Sequence, residues 1–91
     1  MFPPHRKPTV LIVDDDLGFV MWLGEIFTEL GWNTVPASDC QDAVSRVGLL
    51  DLDVDLIVVN PALSGVSEMV QTLSRVGDLF LADPVSKYPW G

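Results

Sequence analysis

The feature that most constrains this chain is an unbroken run of β-branched and aliphatic residues at 9–13 that stops at three consecutive aspartates, Asp14 to Asp16. A run without polar alternation is typical of a strand covered on both faces, as in a parallel sheet between helices. After the aspartates the apolar residues recur at steps of three and four, which predicts an amphipathic helix. The sequence therefore predicts a strand, an acidic cluster where the strand ends, and a helix that follows it.

The same alternation of strand and helix signals continues to residue 82. Apolar runs predict strands at 9–13, 33–37, 56–59 and 78–82, and helical spacing predicts helices at 18–30, 40–47 and 66–76. Gly31, Gly48 and Gly77 are placed to end the three helices. The order β-α-β-α-β-α-β with right-handed crossovers predicts an α/β fold, in which a parallel sheet has helices on both faces. Ligands of such sheets bind at the carboxyl ends of the strands.

Side-chain patterns add expectations about packing. Pro36 predicts that the second strand lies at an edge of the sheet, because proline has no N–H to donate to a neighbour. Ser38 or Asp39 can cap the second helix. The residues expected to face the core are Phe19, Trp22, Leu23, Ile26, Phe27 and Leu30 in the first helix, Ala43, Val44 and Val47 in the second, and Val66, Met69, Val70, Leu73 and Val76 in the third.

Composition argues against several classes of protein. Ninety-one residues make one small domain, and a net charge of −8 repels phosphate backbones, so nucleic acid is not an expected partner. No apolar run approaches the roughly 18 to 20 residues of a membrane span. With Cys40 and His5 as the single cysteine and histidine, an internal disulfide is impossible, and zinc chemistry and a Cys/His nucleophilic site are disfavoured. We expect an intracellular, reducing location, the cytoplasm.

The chain divides into three parts on composition. Residues 1–8 form a basic leader whose three prolines favour an extended, poorly ordered segment. Residues 9–82 hold the alternating strands and helices and form the predicted domain. Residues 83–91 hold two further prolines, show no clear period and are expected to be an irregular tail.

Several fragments, taken together with their spacing, resemble the receiver domain of two-component response regulators. They are the strand and aspartates at 10–16, a helix that ends at Gly31, Val-Pro-Ala at 35–37, Asp-Ala-Val at 42–44, and residues 55–60 with Gly65 five positions further on. The resemblance runs from about residue 9 to residue 82. It implies a flavodoxin-like, three-layer α/β/α fold with strand order 2-1-3-4-5, here shortened to about four strands and three helices. It also implies a Mg²⁺-dependent aspartyl-phosphate switch.

The resemblance assigns roles to particular positions of this chain. The family holds Mg²⁺ with a carboxylate pair, here Asp14 and Asp15, of which the second is the direct ligand. The backbone carbonyl of Ala62 would complete the protein ligands. A carboxylate at the end of the third strand accepts the phosphoryl group in the family, and this chain has Asn60 there. A carboxylate pair is tolerable when a hard cation offsets its charge, and the missing third carboxylate predicts that Mg²⁺ binds weakly.

The amide at the acceptor position changes the expected chemistry. Asn60 has nearly the shape of an aspartate but lacks its charge and nucleophilicity, so an acyl phosphate is not expected to form. Asp55, the nearest upstream acid, lies at the other end of the predicted strand. Deamidation through a cyclic intermediate needs the N–H of the next residue, which Pro61 lacks. We therefore predict a receiver-like module that is not phosphorylated, is not an enzyme and has no catalytic residue.

Two further parts of the family's switch have no counterpart. The Ser/Thr at the end of the fourth strand falls on Ala82, or on Asp83 if the register shifts by one, and neither has a hydroxyl to donate. The family's lysine follows a fifth strand that this sequence does not reach. A sheet that stops after its fourth strand would expose unpaired backbone groups. The expected partners are proteins of a signalling pathway, such as a histidine kinase or a phosphotransfer protein, and a second copy of the chain bound through the exposed edge.

Two other interpretations stay open at this point. Four aliphatic residues followed by Asp14-x-Asp16 resemble the first motif of haloacid dehalogenase-like phosphohydrolases, which implies Asp14 as nucleophile and Asp16 as acid/base. Gly18 stands where that family usually has threonine, and neither a later lysine nor a second acidic pair follows a predicted strand. The chain can also be a fragment of a response regulator without a function of its own.

Overall fold

A computed structural model describes residues 7–50, 53–73 and 78–81, the last of these as backbone. The elements in chain order are β1 (Thr9–Val13), α1 (Leu17–Glu29), β2 (Asn33–Ala37), α2 (Cys40–Leu50), β3 (Leu56–Val59), α3 (Val66–Thr72) and β4 (Asp78–Leu81). The predicted alternation of strands and helices is confirmed. Most of the predicted leader, the whole tail and Ala82 lie outside the described residues. Among those that are described, no helix is long and apolar enough to cross a membrane.

The four strands form one parallel sheet in the order β2-β1-β3-β4. This order agrees with the first four positions of the receiver-like arrangement. In the central strand, Val13 pairs with Ala37 of β2 and with Val59 of β3, so three strands end at the same level. β2 lies at an edge, as Pro36 predicts.

Helices cover both faces of the sheet and make three layers. α1 packs on one face, where Phe19 and Val20 form a core cluster with Val10, Ile12 and Val58. α2 and α3 cover the other face. Its core consists of Leu11, Val13, Val35, Ala37, Cys40, Ala43, Val47, Val54, Ile57, Val59 and Met69. The predicted three-layer flavodoxin-like fold is therefore confirmed.

Both ends of α1 have a local cause. The helix begins at Leu17 because Oδ1 of Asp16 accepts a hydrogen bond from the backbone N–H of Phe19, at 3.1 Å. It ends just before Gly31, as predicted. The φ angle of Gly31 is 88°, a left-handed conformation that glycine adopts without strain and that turns the chain toward β2.

The predicted core face of α1 is wrong in part. Leu23 and Phe27 pack against the core as expected, whereas Trp22, Ile26 and Leu30 are exposed. In the described part of the chain no second helix packs on this face of the sheet. The side of α1 that a neighbouring helix would cover is therefore open.

The bounds of α2 and α3 also differ from the prediction. Asp39 caps α2, since its Oδ1 accepts a hydrogen bond from the N–H of Asp42 at 2.7 Å. The helix does not end at Gly48 but continues to Leu50. Gly48 does not adopt a positive φ, which is what lets a glycine end a helix. α3 ends at Thr72, and the predicted continuation to residue 76 falls largely outside the described residues.

Candidate functional site

Two polar residues stand side by side where the two central strands end. Asp14 follows β1, and its N–H donates to the carbonyl of Ala37 at 3.0 Å. Asn60 follows β3, and its N–H donates to the carbonyl of Val13, also at 3.0 Å. Asp14 is 1% exposed and Asn60 is 6% exposed. The sheet thus brings Asp14, a predicted metal ligand, and Asn60, the predicted acceptor position, together at the carboxyl ends of the central strands.

The two side chains turn the backbone in the same way. Oδ1 of Asp14 accepts a hydrogen bond from the N–H of Asp16 at 2.9 Å. Oδ1 of Asn60 accepts one from the N–H of Ala62, also at 2.9 Å. Each is an Asx turn, in which a side-chain oxygen replaces a backbone carbonyl and redirects the chain two residues on. Asn60 therefore retains a structural role that an amide oxygen fills as well as a carboxylate.

The other two aspartates of the cluster have different surroundings. Asp15 is exposed to solvent, whereas Asp16 is half-buried and caps α1. A negative side chain at this position is stabilised by the amino-terminal end of the helix dipole. Of the three consecutive carboxylates, that of Asp14 is buried at the end of β1, that of Asp15 is exposed, and that of Asp16 caps α1.

The resemblance implies Mg²⁺, and the donors at this edge can be compared with what that ion needs. The candidate donors are the carboxylates of Asp14 and Asp15 and the backbone carbonyl of Ala62, all of them oxygen atoms, which Mg²⁺ prefers. Among the described residues, no three His, Cys, Asp or Glu side chains are grouped so that they could hold a metal ion. In the predicted correspondence with receiver domains, the neutral Asn60 would stand where a third carboxylate is expected. The donors therefore fit a hard cation in kind, with one negative charge fewer.

The other acidic residue next to the central strands, Asp55, lies at their amino-terminal ends, opposite Asp14 and Asn60. Oδ2 of Asp55 accepts a hydrogen bond from the N–H of Thr9 at 2.7 Å, and the N–H of Asp55 donates to the carbonyl of Thr9 at 2.9 Å. The two bonds join the starts of β1 and β3. Asp55 is therefore a structural residue at the far end of the strand and cannot substitute for Asn60.

Sequence reasoning placed the strand-end residues, and the structure adds which backbone N–H groups donate hydrogen bonds to their side-chain oxygens. The Asx turns have a recognisable signal, because Asp14 and Asn60 each end an apolar strand and precede a turn. The helix cap of α1 also has a recognisable sequence signal, since Asp16 stands directly before an amphipathic run. The predicted switch position, Ala82, lies outside the described residues.

Solved structures provide the comparison with known proteins. The chain is similar to the receiver domain of the hybrid histidine kinase CckA, with a TM-score of 0.68 and 16% sequence identity over 84% of this chain and 85% of that one. It is also similar to the signal receiver domain of an HD domain-containing protein from Pseudomonas fluorescens Pf-5, with a TM-score of 0.70 and 20% identity over 96% of this chain and 71% of that one. No protein-family model and no curated protein sequence matches the chain. At these identities the likeness establishes a receiver-domain fold.

Proposed function

We propose that this chain is a pseudo-receiver, a module of bacterial two-component or phosphorelay signal transduction that works through protein contact and without phosphorylation. The receiver-domain fold supports the signalling role. The observation that carries the proposal is Asn60, a buried amide at the end of β3 beside Asp14. In this proposal residues 9–82 are the receiver-like unit, between the leader at 1–8 and the tail at 83–91, and the module acts in the cytoplasm.

The chemistry of Asn60 explains why the module would not accept a phosphoryl group. The attacking atom in an aspartyl-phosphate switch is a charged carboxylate oxygen, whereas an amide has a neutral oxygen and a nitrogen lone pair delocalised into the carbonyl, and both atoms are weak nucleophiles. Oδ1 of Asn60 also accepts the hydrogen bond from Ala62. Pro61 follows directly and lacks the N–H through which asparagine cyclises before deamidation. The position therefore stays neutral.

A weak Mg²⁺ site is part of the proposal. Asp14, Asp15 and the carbonyl of Ala62 would hold the ion, which would offset the charge of the two neighbouring aspartates. Asn60 supplies no charge to this set. Affinity for divalent cations should accordingly be low, and no step of the proposed function depends on the ion.

Protein contact is the remaining route for a signal. The proposed partners are a histidine kinase or a phosphotransfer protein, because receiver domains work with such proteins. A second copy of the chain is also a partner in this proposal. β4 borders the described sheet on the side opposite β2, and an edge strand offers a row of backbone donors and acceptors.

The phosphohydrolase interpretation is not favoured by the structure. It requires Asp16 as an acid/base near the nucleophile Asp14. Oδ1 of Asp16 instead accepts the hydrogen bond that caps α1, and the N–H of the same residue donates to Asp14. The position of Asp16 is thus explained by its role as the cap of α1.

Mass spectrometry after incubation with acetyl phosphate and Mg²⁺ tests the proposal. The chain should keep its original mass, because no carboxylate stands at the acceptor position. A gain of one phosphoryl group on any aspartate would contradict it. Asn60→Asp is the matched comparison, since it restores the carboxylate while keeping the shape and the Asx turn, and it is the variant in which a labile adduct is expected.

A further inference from the structure

A groove of about 500 Å³ runs between α1 and β2, on the less covered face of the sheet. Ile12 and Val20, both in the core cluster of that face, contribute apolar surface, together with Pro36 of the edge strand. Met21, which is 67% exposed, stands at its side. None of the described lining residues belongs to the strand-end site, so the groove is a separate surface.

Gly24 keeps this groove open. It lies in the middle of α1, where glycine destabilises a helix relative to alanine. A Cβ atom built at Gly24 would meet nothing within 4 Å, so the position has room for a side chain that the sequence does not supply. The missing side chain leaves a notch in the helix surface at the groove.

The charges along the groove restrict what can occupy it. Glu25 and Glu29 line its α1 side and are exposed. The chain as a whole carries a net charge of −8. The complementary occupant is a short segment with an apolar side chain for the groove and basic side chains for the two glutamates.

The leader has this composition, and its last residue, Pro8, lies next to the groove. It reads Met-Phe-Pro-Pro-His-Arg-Lys-Pro, with two aromatic or long apolar residues at its start and two basic residues, Arg6 and Lys7, at its end. The carbonyl of Pro8 accepts a hydrogen bond from the N–H of Asn33 at 2.8 Å, which fixes the end of the leader at the start of β2. Thr34, the next residue of β2, already lines the groove.

The leader is also long enough. The six residue steps from Pro8 back to Phe2 span up to about 20 Å. The 13 residues of α1 measure about the same along the helix axis. A segment that turns back at Pro8 can therefore reach every part of the groove, and its prolines reduce the conformational entropy lost on docking.

We propose that residues 1–6 of the leader lie in the α1–β2 groove of the same chain, with Phe2 on the apolar surface near Gly24 and with Arg6 facing Glu25 and Glu29. The leader then covers apolar surface that α1 leaves open. Any protein that uses this face has to displace it. The contact does not depend on whether Asn60 accepts a phosphoryl group.

Photo-crosslinking of the full chain tests this contact. Phe2→p-benzoylphenylalanine is irradiated, and the crosslinked residues are mapped by mass spectrometry, with a denaturing gel to separate links within one chain from links between two chains. We expect links within one chain to residues of α1 and β2 that line the groove. Links to other surfaces, links between chains, or no links at all would overturn the proposal.

Paired variants sharpen the result. Gly24→Leu fills the groove and should lower the yield of groove crosslinks about tenfold. Gly24→Ala adds only one methyl group, so most of the crosslink yield should remain. Glu29→Lys should lower the yield by about threefold, the size of effect expected for an exposed charge pair, with Glu68→Lys on α3 as the control. Circular dichroism confirms that each variant is folded. Equal yields from Gly24→Leu and Gly24→Ala, or from the two lysine variants, would also overturn the proposal.

Discussion

The two faces of the sheet are built from the same strands but are covered very differently. On the face under α2 and α3, eleven buried residues among the described side chains form one core cluster. On the face under α1, the cluster has five buried residues within the same described ranges, and Leu17 and Met21 of α1 and Leu30 directly after it are more than 60% exposed. The first face is a closed core, and the second is a core with an open groove beside it. The difference shows that buried apolar surface is distributed unequally between the opposite sides of one sheet.

Neighbouring residues of β1 provide the largest test of this comparison. Leu11 is 0% exposed and faces α2 and α3, whereas Ile12 is 1% exposed and faces α1 and the groove. Leu11→Ala should lower the free energy of unfolding by about 4 kcal/mol and Ile12→Ala by about 2 kcal/mol, because the groove side can relax around the lost atoms more easily. Urea denaturation measures both. Equal losses would break the comparison.

The helix caps should give the next largest effects. Asp39→Ala removes the hydrogen bond to the N–H of Asp42 at the start of α2, and Asp16→Ala removes the one to Phe19 at the start of α1. Each should lower the free energy of unfolding by about 1 kcal/mol. Hydrogen exchange distinguishes them, since only Asp16→Ala should reduce protection in the first turn of α1.

The burial of the face under α2 and α3 should also affect the titration of Cys40. Burial raises the pKa of the Cys40 thiol above 9.0, and the nearby Asp39 and Glu68 raise it further. Because the folded chain holds this proton more tightly than the unfolded chain, the free energy of unfolding should fall as the pH rises above 9.0. The decline should stay below the roughly 1.4 kcal/mol per pH unit that one fully coupled proton allows.

Denaturation between pH 8 and pH 10 checks this decline. Cys40→Ala removes the thiol and should remove the contribution, while other titrating groups act equally in both proteins. A thiol-specific alkylating reagent should react more slowly with the folded chain than with the unfolded chain. Fast alkylation of the folded chain would mean that the α2 and α3 face is less closed than described.

Exposed leucines should give the smallest effects. Leu30 at the end of α1 is 69% exposed and Leu49 near the end of α2 is 86% exposed. Leu30→Gln and Leu49→Gln should each change the free energy of unfolding by no more than about 0.5 kcal/mol. A loss above 1 kcal/mol for Leu30→Gln alone would show that the α1 face is covered in the intact chain, and would sharpen the comparison by placing the covering segment near Leu30.

The sequence was most informative where one periodicity dominates. The strand at 9–13 and the strand at 56–59 have the predicted bounds, since a continuous apolar run between polar residues has few other ways to be buried. The side-by-side placement of Asp14 and Asn60 follows from the parallel register of those strands. The fold and the composition of the strand-end site could therefore be inferred before any coordinates.

Other features depend on tertiary packing that a pattern cannot express. Trp22 and Ile26 continue the helical stripe of α1 but are exposed, because the number of helices on a face decides how wide a stripe is buried. Gly48 looks like a helix end and is not one, since its backbone lacks the left-handed conformation. The groove is lined by Gly24 and Pro36, which are 12 residues apart in sequence and belong to two different elements.

The hydrogen bonds between Thr9 and Asp55 have a consequence for folding during synthesis of the chain. These residues are 46 positions apart in the chain, yet together they fasten the starts of the two middle strands. During synthesis, the apolar strand β1 therefore leaves the ribosome well before β3, the second strand that pairs with it, has been made. Nascent chains that halt before residue 55 would display unsatisfied strand edges and should depend on chaperones or be cleared by proteases.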